Sequence, residues 1–170
     1  MRMSTRTQPY IKASVYALCG VALLLFSSAF YPALHLTVNA PRLTVAMLAC
    51  LALFEGVRYA SYFAVILGAV ECYTYGESPL LGTLFYLAFV LLVVWLFENV
   101  FGRNFAAWLL YAVGGIFCRA VFSLFAPVTA WGITAADVLL DETLPTFLLS
   151  VLFSLPLYPL FAWLKKKTEA

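Results

Sequence analysis

The chain has 170 residues, 65% of them apolar and 11% charged, with a mean hydropathy of +0.98, whereas soluble domains run near half apolar and a quarter charged. This is the composition of an integral membrane protein, and at about 20 residues per spanning helix the length holds at most about six or seven spans and no separate soluble domain. The formal charge of +2 gives no support to nucleic-acid binding, and orientation depends on where Lys and Arg fall rather than on their sum.

Arg2, Arg6 and Lys12 precede the first apolar run. No A-x-A-like cleavage site follows and further spans come after, so the run is expected to be an uncleaved helix at 13–31. Breaks at Pro, Gly and charge then predict helices at 43–54, 59–75, 79–97, 105–126 and 144–164, an all-α bundle of six spans in one membrane domain over 1–170. The second run is only about a dozen residues long, short of a span. If Glu55, Gly56 and Arg58 in "FEGVRY" did not break the chain, five spans would remain.

Positive-inside counting favours six. With both termini cytoplasmic, Arg2, Arg6, Lys12, Arg58, Arg103, Lys165, Lys166 and Lys167 fall inside and Arg42 outside. The short second helix is tolerable if it is buried among its neighbours or lies where the bilayer thins. The outer loops then hold His35, Glu77, Asp137, Asp141 and Glu142. Tyr10, Tyr31, Tyr59, Trp95, Trp108 and Trp163 stand near span ends, as interfacial anchors do. The longest loop, "PVTAWGITAADVLLDETLP", is expected to lie on the outer interface.

Glu71 and Arg119 are the charges well inside predicted spans. Unpaired, each costs about 2.5–3.5 kcal/mol on insertion scales. At 1.5 Å rise per residue, Glu71 stands about 18 Å along its helix and Arg119 about 21 Å along its own, a shared level in the outer half. Ala60, Ala64, Gly68 and Cys72 form a small-residue seam beside Glu71, and Ala112, Gly115, Arg119 and Ser123 share a face of the fifth helix. The expectation is a direct or water-bridged pair between helices three and five. Fixing helix register is the ordinary role for such a pair, with binding and proton chemistry as the alternatives.

The other polar residues read more plainly. His35 is a lone loop histidine, and Asp137, Asp141 and Glu142 before "TLP" suit the start of helix six, with a hard-cation site or partner contacts as the alternatives. Cys19, Cys50, Cys72 and Cys118 lie singly in apolar runs and read as small buried hydrophobes. Glu55 with Arg58, and Glu98 with Arg103, read as solvated turns, while Gly76, Pro79 and Gly82 are expected to turn the chain at the outer surface. Pro156 and Pro159 should kink the last span. No P-loop, GxGxxG, GxSxG or HExxH is present, and no base stands beside a nucleophile, so the expectation is a non-enzymatic protein without cofactor or metal.

The order of these features resembles the rod shape-determining MreD family. The carrying residues are "LGAVECYTYGESPLLGTLFYLAF" (67–89) and "LPTFLLSVLFSLPLYPLFAWLKKK" (144–167). The family's first motif commonly has an Asp where Glu71 stands, and its second an Asn near the place of Ser150. The resemblance implies a scaffold subunit of the bacterial cell-elongation complex in the cytoplasmic membrane. Its expected partner is a bitopic MreC-like protein, with RodA and a class B penicillin-binding transpeptidase as further partners and an indirect link to MreB filaments. The family is also similar in fold to the substrate-binding S component of energy-coupling factor vitamin transporters, which is the competing reading. In such a component helix one docks a coupling protein through Ala-x-x-x-Ala, a spacing that "ASVYA" at 13–17 satisfies.

Overall fold

The computed structural model describes residues 8–30, 41–75, 78–131 and 143–169. They form α1 (Gln8–Leu25), α2 (Thr44–Phe54), α3 (Val57–Thr74), α4 (Pro79–Leu96), α5 (Phe105–Trp131), α6 (Leu144–Ser154) and α7 (Leu157–Glu169), with π-helical turns at Phe26–Phe30 and Phe97–Phe101 extending α1 and α4. Among the described residues four stretches are long and apolar enough to cross a membrane: Tyr10–Ala29, Pro79–Val100, Phe105–Phe122 and Leu144–Lys167. α3 has 18 residues but carries Arg58 and Glu71 and is not among them.

The break in "FEGVRY" is real. Glu55 and Gly56 separate α2 from α3, and Gly56 takes φ +82, a left-handed conformation open to glycine at little cost. Other bounds differ from the sequence expectation. α1 begins at Gln8 rather than at 13, and α5 runs on through Pro127 to Trp131, shortening the expected outer loop. Proline removes one ladder donor, a loss that membrane helices accommodate. The last span is interrupted at Leu155–Pro156, where the missing N–H of Pro156 divides α6 from α7.

α2 is the centre of the bundle. Every residue from Thr44 to Leu53 is buried, so this helix needs no polar face. At 1.5 Å per residue its 11 residues cover about 16 Å, half a hydrocarbon core. The non-helical residues that lead into it are therefore enclosed by protein, as bilayer physics requires of irregular backbone. Pro41 and Leu43 are buried; the Pro41 carbonyl accepts from Ser27 Oγ at 2.8 Å, and the Arg42 N–H donates to Ser150 Oγ at 2.9 Å. Ser27 sits in the π turn of α1 and Ser150 in α6.

The far end of α2 is held by the two ends of the chain. Tyr16 Oη donates to Glu55 Oε1 at 2.8 Å, Lys12 Nζ lies 3.7 Å from the same oxygen, and Lys165 Nζ donates to the Phe54 carbonyl at 3.0 Å. The start of α1 and the end of α7 thus meet at one end of the bundle. Glu55 is not the solvated turn residue expected: its side chain is 8% exposed because α1 closes over it. Trp108, expected at the interface, is fully buried against Phe105 and Tyr158. Tyr10, Trp95 and Trp163 do face outward. Cys50 and Cys72 are buried and Cys19 is half-buried; Cys118 instead faces outward, away from the core.

Ser150→Ala removes the acceptor of the part-buried Arg42 N–H and is expected to cost about 0.5–1.5 kcal/mol. Ser14→Ala, whose hydroxyl bonds its own helix on an exposed face, serves as the near-neutral control in thermal unfolding of the detergent-solubilised protein.

Candidate functional site

The small-residue seam on α3 brings α4 close. Ala60, Ala64, Gly68 and Cys72 are all buried. A Cβ on Gly68 would stand 2.7 Å from Tyr86 Cδ2, and one on Gly82 would collide with Cys72 Sγ. Gly82 therefore belongs to α4 and serves helix contact, not the outer turn expected of it. Gly76 lies outside the described residues.

This close approach delivers Tyr86 to the intramembrane charges. Glu71 and Arg119 are each 1% exposed, and Tyr86 is fully buried. Tyr86 Oη donates to Glu71 Oε1 at 2.6 Å, and Arg119 Nε donates to Tyr86 Oη at 3.1 Å. The expected link between α3 and α5 runs through a hydroxyl of α4 that accepts from the cation and donates to the anion. A phenol suits this place because it offers both functions on a rigid apolar ring.

Aromatic rings wall the guanidinium. The Arg119 Cζ lies 5.9 Å from the Phe85 ring centroid and 5.6 Å from those of Tyr86 and Phe122, distances at which ring faces attract a cation. One turn before Arg119, Gly115 leaves room for Phe89 and Val45, the latter from the first turn of α2. The side chain of Ser123 lies outside the described residues. One turn beyond Glu71, Tyr75 receives the Arg42 guanidinium over its ring at 4.9 Å. Glu71 Oε2 is buried without a hydrogen-bond partner among the described residues.

Ser150, singled out by its place in the second motif, is 1% exposed and joins α6 to the lead-in of α2, while its own hydroxyl donates to Thr146 O at 2.6 Å. Glu98 and Arg103 form an exposed pair at 3.6 Å, the solvated turn expected. His35, Glu77, Asp137, Asp141 and Glu142 lie outside the described residues. Among the described residues no group of three or more His, Cys, Asp or Glu side chains is placed to hold a metal ion.

Tyr86 is the site residue that sequence reading missed. Its signal is a tyrosine seven residues into a span with Thr83 as its other hydroxyl side chain, where a phenol must find a partner. Comparison with protein-family models, curated proteins and solved structures finds no match.

Tyr86→Phe should destabilise the bundle by about 1.5–3 kcal/mol, the worth of hydrogen bonds to charged groups. Glu71→Ala should cost about 3–5 kcal/mol because it leaves a buried guanidinium without its acid. Thermal unfolding in detergent compares them, and a Tyr86→Phe variant as stable as wild type would show that the hydroxyl carries no load. Gly68→Ala must displace the Tyr86 ring and should destabilise by about 1–3 kcal/mol.

Proposed function

We propose that this chain is a non-enzymatic membrane scaffold of the bacterial cell-elongation machinery, an MreD-like subunit that binds an MreC-like bitopic protein. The observation that carries this reading is the use made of the acid in the first motif. Glu71 accepts from the chain's own Tyr86, whose hydroxyl Arg119 reaches in turn, and the glycine of "SPLLG" that follows packs α4 onto α3. Motif residues spent on locking three helices together make a rigid frame, which is what positioning a partner demands. Because the α3 seam is occupied by α4, a partner helix would dock on the lipid-facing exterior; α1 is the least buried of the four candidate spans among the described residues. The cytoplasmic membrane and two cytoplasmic termini belong to this reading, and the meeting of Lys12 and Lys165 around α2 supports it.

One observation favours a second reading. Glu71 Oε2 is a buried acceptor without a hydrogen-bond partner among the described residues, and a small ligand with an N–H or O–H group would complete it, as in an S component of an energy-coupling factor transporter.

Co-expression with a tagged MreC-like bitopic protein is expected to retain the chain through purification, and Tyr86→Phe to weaken that retention in proportion to its loss of stability. A chain that stays monodisperse alone, ignores such a partner and instead holds a vitamin at nanomolar concentration would replace the first reading by the second.

A further inference from the structure

Three stretches far apart in the sequence converge where α1 begins and α7 ends. Lys12 meets Glu55 in the α2–α3 turn, and Lys165 reaches the Phe54 carbonyl across 111 positions. The left-handed Gly56 then reverses the chain and sets Arg58, exposed, in the first turn of α3. Lys166 and Lys167 follow Lys165 and are exposed as well. Five cations thus lie at one end of the bundle, where Lys12 and Tyr16 engage the Glu55 carboxylate from within. Among the described residues no carboxylate pairs with Arg58, Lys166 or Lys167.

The depth of this cluster is marked by Trp163. It is half exposed and carries the Lys167 ammonium 4.6 Å above its ring. Outward-facing tryptophan is enriched at headgroup level in membrane proteins. The surfaces next to the cations are apolar and outward: Val57 and Tyr62 on α3, Leu160 and Trp163 on α7. Cations at headgroup depth beside exposed apolar side chains match a molecule with an anionic phosphate and acyl chains.

We propose that this end of the bundle is a binding site for anionic phospholipid. Arg58, Lys166 and Lys167 hold the headgroup phosphate, and the acyl chains lie along the exteriors of α3 and α7. The guanidinium of Arg58 is suited to bidentate phosphate contact, and the two ammonium groups add charge without fixed geometry. The occupant bridges the α2–α3 turn to the C-terminal end of the last span, adding to the tie that Lys165 makes inside. The inference does not depend on which partner protein the scaffold binds.

The test is native mass spectrometry of the full-length protein in mild detergent containing equal phosphatidylglycerol and phosphatidylcholine, together with melting temperatures in each lipid. Wild type is expected to retain phosphatidylglycerol preferentially, to melt higher in it, and to lose the preference as salt rises. Arg58→Gln, Lys166→Gln and Lys167→Gln should each weaken retention roughly fivefold, the worth of one cation near an anionic surface. Arg103→Gln, which removes a cation already paired with Glu98, should leave retention unchanged. Equal retention of the two lipids by wild type overturns the proposal, and this measurement needs no variant to fold. It also fails if the three substitutions combined bind phosphatidylglycerol as wild type does. A polyglutamate peptide that binds wild type where phosphatidylglycerol does not would assign the cluster to an acidic protein instead.

Discussion

A carboxylate and a guanidinium stripped of water inside an apolar bundle must be satisfied by the protein, and most of the structure follows from how this chain does so. Tyr86 stands between Glu71 and Arg119, its hydroxyl donating to one and accepting from the other. Three helices are thereby fixed in rotation and depth, since a phenol can reach both partners only when α4 presents that one face. The glycines make the geometry attainable. Without bare backbone at Gly68 and Gly82, α4 would be held away from α3 and the hydroxyl would fall short of the acid.

The same demand for internal satisfaction governs α2. A helix covering half the bilayer leaves irregular backbone inside the bundle, and a buried peptide group without a partner is expensive. Ser27 and Ser150 supply side-chain partners at its beginning, and Lys165 caps a carbonyl at its end. An uninterrupted apolar surface suffices in between because α2 is enclosed by other helices and never meets lipid. The short helix therefore acts as a core pillar around which the longer spans pack.

The two ends of the molecule consequently differ in chemistry. At the end where α2 begins, hydroxyls, rings and a guanidinium are woven between helices. At the other, cations from three stretches collect, and Lys12 and Tyr16 enclose the Glu55 carboxylate. Rigid framing of the membrane domain by the first and the proposed attachment to the headgroup layer by the second would both suit the scaffold role proposed above.

From the residues alone came the all-helical membrane class, six helices, the division at "FEGVRY", the interruption at Pro156 and the level shared by Glu71 and Arg119, because these rest on local properties: hydropathy, proline chemistry and rise per residue. The tyrosine between the charges, the burial of Glu55 and Trp108, and the tie from Ser150 to the lead-in of α2 depended on which helix lies beside which. Helix order around a bundle in lipid is chosen by close packing of small residues and by pairing of polar groups, and neither appears in the periodicity of a chain apolar on almost every face. Hydropathy could say that α2 was too short to span; only its neighbours could make it the core.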